Sequence, residues 1–551
     1  MSSRRSLVLL FLGCFGFFGL FAHGYLENTD TAITLQAARA WALRGDPGLV
    51  RADQVEELGA ELGPKAPTWP AEHAVAHLIS KADEPMYGRT GRNGRHYIWF
   101  PIGHQALLVP AVALGEQLAT WWPEAEQAFV AQRGPLFGAH FWSQFCASFV
   151  SPLAAAGAVI MLLVLARSLG ASPGAALLAV ASAVFCTQFW PGSRETMSNM
   201  PGTFFFCATV AMIGRYAAGA GPSALLWAGA FAGPAVLVRY PLALPMAPFA
   251  LWAVVTATRR GRLWDLAWLV GGGLPWLGAL LAANYLRFGD ITATGYLANS
   301  NLGSLPLWQG LIALLLAPGK GVLWFSPPLV LALLALRRRS RWSLPALGAL
   351  AAFALPVLLY ANVGYWASGQ CWGIRYLTSA AVVLCVVVFA TAQPWRRRPR
   401  IFGAVCAIGL VFSIGGVITP YVGHQHLALQ AGRVIYGPLP NVDNNVNFDP
   451  RLSPLHSHWT YAWLAAQGRI ASADPTDTLT PLFGIEAEAP VQPLPHATQS
   501  AFRHVWLRSL PLVLPGFPAG VVAALWVGLT GLALGLGVRA FWLPRSPPLA
   551  G

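Results

Sequence analysis

IGHQALLVPAVALGEQLA, residues Ile102–Ala119, is apolar enough to pass for a membrane span, and whether it crosses decides the topology of everything after it. Before it, Arg4 and Arg5 precede the apolar segment Ser6–Ala22. Arg and Lys are retained on the cytoplasmic side, so this first segment runs outward. The next strong inside marker is Arg167, after the span Ser148–Ala166. Were Ile102–Ala119 also to cross, Arg167 and every later Arg cluster would fall outside. Parity therefore predicts that Ile102–Ala119 lies along the surface, or dips in and returns.

The later spans follow in order: Ala175–Phe189 outward, Gly202–Ala218 inward to Arg215, Leu225–Val238 outward, and Leu242–Ala257 inward to Arg259, Arg260 and Arg262. Leu266–Tyr285 runs outward, Leu307–Ala317 dips without crossing, and Gly321–Leu336 runs inward to Arg337, Arg338, Arg339 and Arg341. Leu344–Ala361 runs outward, Leu377–Ala392 inward to Arg396, Arg397, Arg398 and Arg400, Phe402–Ile418 outward, and Gly516–Val538 inward to Arg539. The expected fold is an all-α polytopic membrane protein of about 12 transmembrane helices, both ends inside, with a large first external segment of membrane-parallel helices. Its expected divisions are a first span (1–22), an external segment (23–144), a bundle with short external loops (145–418), a second external segment (419–509), and a last span with its tail (510–551).

Composition agrees. Of 551 residues, 55% are hydrophobic and only 11% charged, with mean hydropathy +0.52, where a soluble domain carries about 25% charged residues. The net charge of +14 does not indicate a nucleic-acid partner, because the Arg clusters sit between apolar segments and form no long basic arm. No small-x-small cleavage site follows Ser6–Ala22, so it reads as an uncleaved helix and not a signal peptide. Six of the seven cysteines (Cys14, Cys146, Cys186, Cys207, Cys385, Cys406) lie in apolar segments and only Cys371 reads as exposed, which is no disulfide framework.

Acid position was not used to orient the spans, yet every Asp and Glu except Asp265 falls outside. The polar chemistry is therefore expected on the outer face. The spans carry almost no ionisable residues, which argues against an ion-driven carrier. Four outer pieces converge: Glu27–Asp46; NGRHYIWFPIGHQALLVP (Asn93–Pro110), with Tyr97 and His104; the turns WPGSRETMSN (Trp190–Asn199) and VRYP (Val238–Pro241), with Arg194, Glu195 and Arg239; and NYLRFGDITATGY, APGKGVLWFSP and NVGYWASGQCWGIRYLT, with Tyr296, Lys320, Trp372 and Arg375. A carboxylate at the membrane lip (Asp30, with Glu27 near it) can act as base on an acceptor hydroxyl. Cations at helix ends can hold a departing phosphate, and Trp, Tyr, His and Asn suit sugars. Together they fit sugar transfer from a lipid phosphate. Plainer roles stand beside these. Asp30 can serve as a helix N-cap. Arg239 and Arg375 can be interfacial anchors, and Tyr365, Trp366, Trp372 and Tyr376 an aromatic belt. Lys320 can snorkel.

For metals, EHAVAH (Glu72–His77) lacks the HExxH order, and the pairs His424/His426 and His456/His458 lack a third and fourth ligand at defined spacing. A divalent metal is thus possible but not indicated. GGG at Gly271–Gly273 reads as close helix packing.

These motifs resemble the GT-C class of integral-membrane glycosyltransferases, in the branch of protein O-mannosyltransferases and the lipid A aminoarabinose transferase. The resemblance rests on Asp30 followed sixteen positions on by Gly45–Asp46, on WFPIGHQALLVP, and on GKGVLWFSPP and QCWGIRYLT, over Gly24–Thr378. It implies Asp30 as catalytic base, a polyprenyl-phosphate sugar as donor, no required divalent metal, and a site between the first external segment and the membrane. It places the protein in a bacterial inner membrane with the site on the periplasmic side, acting on a glycolipid, polysaccharide or protein. Thr31 and Phe100 depart from the class pattern, where many members have Glu and Lys. The competing readings are a flippase or exporter of a sugar-linked lipid or polymer, and a non-catalytic scaffold.

Overall fold

An apolar segment in lipid has no water to satisfy its amides, so it closes its hydrogen bonds within a helix. The computed structural model describes residues 4–26, 28–51, 53–57, 71–80, 87–294, 303–418, 420–437, 442–472, 474–486 and 506–542. A helix occupies each of the twelve expected spans: α1 (Arg4–Leu20) and, after the first polar segment, α7 (Val150–Ser168), α8 (Pro173–Phe185), α9 (Asn199–Ala217), α10 (Ser223–Val238), α11 (Ala243–Arg259) and α12 (Leu266–Phe288). Past the ten-residue α13 (Leu307–Leu316) come α14 (Pro327–Ala335), α15 (Leu344–Tyr360), α16 (Thr378–Ala392) and α17 (Pro399–Ile418), and near the end α23 (Ala519–Trp542). Between α1 and α7 lie α2 (Thr29–Arg44), α3 (Ala71–Ser80), a hairpin of β1 (Gly88–Thr90) and β2 (His96–Ile98), α4 (Ile102–Trp121), α5 (Pro123–Gly138) and α6 (Phe141–Ser148). Between α17 and α23 lie α18 (Tyr421–Tyr436), α19 (Val442–Phe448), α20 (Pro454–Ala466), α21 (Leu479–Phe483) and α22 (Trp506–Val513). Among the described residues six helical runs, Phe141–Ser168, Leu263–Phe288 and Ala519–Trp542 among them, are long and apolar enough to cross a membrane on length and composition alone.

Close glycine contacts reveal helix directions. Gly13, Gly16 and Gly19 of α1 meet Leu534, Thr530 and Trp526 of α23, so the partner number falls as the first rises and the two helices are antiparallel. Gly229 and Gly233 of α10 meet Leu269, Gly273 and Trp276 of α12, while Gly272 meets Leu226 and Ala230, so these two are parallel. A side-chain carbon at Gly229 or Gly272 would overlap the partner's backbone carbonyl. Of the glycines expected to pack closely, Gly272 does so and Gly273 comes within ordinary contact of Gly229, whereas Gly271 meets nothing within 4 Å. Both results match the directions that charge parity assigned.

The placement of α4 follows from its ends. Gly103 packs on Leu237 and Val238, the last residues of α10, and Gly115 packs on Trp142 and Ser143, just ahead of α7. Gly202, near the start of α9, meets Val238, Arg239 and Leu242. Gly157 of α7 meets Phe204 of α9, and Gly214, near the end of α9, meets Leu165. The starts of α7 and α9 and the end of α10 thus share one end of the bundle, and α4 touches that end at two points about 18 Å apart along its axis. It lies across the bundle, as parity required. The basic clusters gather at the opposite end, where Arg260 donates to the Tyr216 carbonyl (2.6 Å) and the Ala217 carbonyl (2.9 Å), and Arg341 to the Thr391 carbonyl (3.4 Å).

The chain is an all-α polytopic membrane protein. Its late polar segment builds a small core of its own from Leu427, Ala431, Tyr461, Leu464 and Leu482. It is tied to the loop before α14 by Ser453 Oγ donating to the Pro318 carbonyl (2.6 Å) and Gly319 N–H to the Asn447 carbonyl (2.9 Å).

Candidate functional site

Asn28 caps α2, its Oδ1 accepting the Thr31 N–H at 2.9 Å. Asp30 is therefore not the cap. It stands in the first turn, where the helix dipole favours a negative charge, and accepts a hydrogen bond from Arg375 Nη2 at 3.1 Å. Arg375 is itself fixed: its N–H donates to Ser368 Oγ (3.3 Å), its Nη1 reaches Met197 Sδ (2.8 Å), and its guanidinium lies 5.7 Å from the Tyr376 ring. Arg239 approaches the same ring at 5.1 Å and donates to Asn199 Oδ1. Tyr376 stacks on Tyr360 with ring centres 4.1 Å apart. One carboxylate and two guanidiniums thus meet around a pair of phenols. The Tyr87 phenol is pushed up by burial and by the charge of Asp30, in a residue held at φ 71.

Beside this cluster is a cavity of about 30 Å³, lined by His23, Asn28, Thr31, Arg194, Glu195 and Trp372 among others, room for a water or two. Glu195 Oε1 accepts the Trp372 N–H at 3.2 Å. Burial pushes the Glu195 carboxyl up to about 7, although Arg375, Lys320 and Arg194 all pull the other way. Arg194 is 2% exposed; its Nε donates to His23 Nε2 (2.8 Å), and its Nη1 to the Gly416 (3.4 Å) and Val417 carbonyls. Lys320 does not snorkel. It is fully buried, its Nζ donating to the Gly369 (2.9 Å) and Cys371 carbonyls, 4.2 Å from the Tyr421 ring centre, and burial pushes its ammonium down.

Tyr365 is 73% exposed, whereas Trp366 and Trp372, also considered for an aromatic belt, are buried. Trp372 packs on Phe325 (5.1 Å), His458 (4.7 Å) and Tyr421 (6.3 Å). Its indole N–H has no hydrogen-bond partner among the described residues. Cys371, expected to be exposed, is fully buried, because the turn Ser368–Gly373 folds over it with left-handed backbone at Ser368, Gly369 and Gly373.

Other expected site residues lie elsewhere. Asp46 lies just past the far end of α2, beyond the left-handed cap at Gly45, and the helix from Asp30 to Arg44 is about 21 Å long. There it accepts from Tyr97 Oη (3.0 and 3.1 Å) and the Gly48 N–H (2.8 Å), with Arg95 at 3.7 Å. Asp46 and Tyr97 pin the hairpin to α2. His104 is buried in α4; burial pushes its imidazole down to about 4, and its Nε2 has no partner among the described residues. Glu27 and Tyr296 fall outside the described residues.

His23, Tyr87 and Tyr421 were missed, and His458 was weighed only as half of a metal-binding pair. A polar ring one residue past the first span was the available signal for His23; Tyr421 and His458 lie in a segment without a recognisable motif. Among the described residues no group of three or more His, Cys, Asp or Glu could hold a metal. His424 and His458 approach to 5.1 Å between ring centres, but His424 Nε2 pairs with Ser457 Oγ (2.6 Å), and burial pushes His424 down to about 3.

Residues 131–283 match the family model described as Dolichyl-phosphate-mannose-protein mannosyltransferase. That stretch holds Arg194, Glu195 and Arg239 and begins beyond Asp30. No curated protein matches the chain. The chain is similar to two solved structures of ArnT from Cupriavidus metallidurans. The one bound to undecaprenyl phosphate is 13% identical, with 97% of this chain and 77% of that chain covered and a TM-score of 0.46. The apo state is 14% identical, with 97% and 75% covered and a TM-score of 0.44. The family match over residues 131–283 bears out the resemblance to the GT-C glycosyltransferases that the motifs suggested.

Proposed function

We propose that the protein is a glycosyltransferase that moves a sugar from a polyprenyl-phosphate donor to an acceptor hydroxyl, with Asp30 as general base. The observation that carries this reading is the Asp30–Arg375 pair with Arg239 on the same Tyr376 ring, at the end of the bundle that α4 covers. Arg375 holds Asp30 Oδ2, which leaves Oδ1 to take the acceptor's proton. As that proton leaves, the acceptor oxygen bonds to the anomeric carbon and the carbon–oxygen bond to phosphate breaks. The electron pair departs on the lipid phosphate, whose charge Arg239 and Arg375 meet. Attack opposite the phosphate inverts the anomeric centre. An arriving phosphate also competes for Arg375, so donor binding loosens the carboxylate it is about to need. Glu195, Arg194 and Trp372, which line the cavity, supply the remaining contacts, and the site faces the periplasm from a bacterial inner membrane. The acceptor is a glycolipid, polysaccharide or protein, and Tyr421 brings the late polar segment to the wall of the same cavity.

The test is Asp30→Asn, purified in detergent and checked for monodispersity. Transfer should fall by roughly two to four decades; near-normal transfer would overturn the assignment. Donor consumption by the wild type in detergent, with no bilayer present, separates a transferase from a flippase.

A further inference from the structure

The late polar segment contains a helix without charge. α20 has no Asp, Glu, Lys or Arg among its 13 residues. Its inner face, with Tyr461, Leu464 and Ala465, fills the small core of that segment. Its other face is His456, Trp459, Trp463 and Ala466, all exposed, the two indoles at 40% and 56%. The charged groups beyond its two ends are already engaged: Arg451 pairs with Asp449 at 2.7 Å and Arg469 with Asp477 at 3.1 Å. A helix face turned to water ordinarily carries charge, and single exposed apolar residues need no explanation. An aromatic stripe along an uncharged helix fits neither description.

The position of the stripe says what covers it. The exposed flank of α17 carries Ala404, Ile408 and Val411, the last two 49% and 48% exposed, and in a spanning helix such a flank meets lipid. Gly415 continues the same helical face past Ile408 and Val411. There Trp459 covers it: a side-chain carbon at Gly415 would come within 3.4 Å of Trp459 Nε1. α20 therefore packs on the lipid side of α17, about 6 Å beyond Val411 along the axis. The next glycine faces the bundle, where a side-chain carbon at Gly416 would overlap the Trp372 ring at 2.6 Å. Two consecutive glycines thus leave one tryptophan on the lipid side of α17 and another on the cavity side.

We infer that α20 is an interfacial helix, whose His456–Trp459–Trp463 face lies in the headgroup layer of the outer leaflet and holds the late polar segment to the bilayer. Indole rings are favoured at that depth because their bodies are apolar and their N–H groups stay wet. The face continues the lipid-exposed flank of α17 without a break, so the bilayer that covers the one reaches the other. Held there, the segment keeps Tyr421 on the cavity wall.

The test locates a surface without turnover, so it stands or falls independently of the transferase reading. Full-length protein is placed in phosphatidylcholine nanodiscs doped with a phosphatidylcholine whose acyl chain carries a diazirine near its carbonyl. After photolysis, lipid adducts are mapped by mass spectrometry of proteolytic peptides. Residues 454–467 should be labelled to within about threefold of the exposed flank of α17, and roughly tenfold or more above residues 53–57, where Asp53, Glu56 and Glu57 are exposed and charged. Trp463→Glu puts a carboxylate in that layer and should lower the labelling of His456 and Trp459 by roughly threefold or more, with an unchanged elution profile. Labelling of 454–467 no higher than that of 53–57 would overturn the inference and give the face to water or to a partner protein. Unchanged labelling of His456 and Trp459 in Trp463→Glu would overturn it as well, because a face indifferent to a buried charge is not seated in lipid.

Discussion

Glu195→Gln isolates the cost of one buried carboxyl. In the wild type that carboxyl is pushed up to about 7 by burial, against an ordinary value of 4.5. Above pH 4.5 the unfolded chain gives up this proton and the folded chain keeps it until about pH 7. Between those values the unfolded state binds fewer protons, so stability falls as pH rises, and above pH 7 the loss is complete. A displacement of this size corresponds to roughly 3 kcal/mol. Glutamine keeps the shape and an acceptor for the Trp372 N–H but carries no charge at any pH. The variant should match wild type at pH 4.5 and become more stable than it through pH 7, with a plateau beyond. Thermal melting of both proteins in one detergent from pH 4.5 to 8.5 measures the difference, which should reach a few degrees. A difference that does not change with pH would mean that Arg194, Lys320 and Arg375 hold Glu195 ionised throughout, and that the balance between burial and charge is misjudged.

Other perturbations separate chemistry from architecture. Arg375→Gln removes the partner of Asp30 and one phosphate contact, so transfer should fall at least tenfold, with a larger share of the loss in kcat than in KM. Asp46→Asn should lower stability by about 1–2 kcal/mol through the hairpin while transfer stays within a few-fold of wild type; a loss as deep as that of Asp30→Asn would put Asp46 in the site. Gly272→Val forces carbons into the Leu226 carbonyl and should cost about 1–3 kcal/mol or more, seen as loss of the monodisperse peak in size-exclusion chromatography.

How far the site could be read in advance depended on distance along the chain. The stretch Trp190–Asn199 and the loop before α16 announced themselves through charge and aromatic content, and Arg194, Glu195, Trp372 and Arg375 do come together. Asp30 and Asp46 looked like one constellation because they are close in sequence and share a motif. Almost the whole length of α2, from Asp30 to Arg44, and its cap at Gly45 separate them. Lys320 and Cys371 looked like interfacial residues because polar loops usually are; the turn at Ser368–Gly373 buries both and satisfies the ammonium with carbonyls. The late polar segment offered no motif, yet it supplies Tyr421 to the cavity wall and His458 to Trp372.

The sequence by itself determined the apolar helices, the relative directions of the pairs α1/α23, α10/α12 and α7/α9, and the placement of Ile102–Ala119 across the bundle. Each depends on local quantities: the length of an apolar run, and the sign of charge within a few residues of its ends. Only the tertiary structure decided which polar groups meet. Asp30 and Arg375 are 345 residues apart, and Arg239 shares the Tyr376 ring with Arg375 from a third part of the chain. Such contacts follow from the packing of many helices at once, and no window of sequence contains that information.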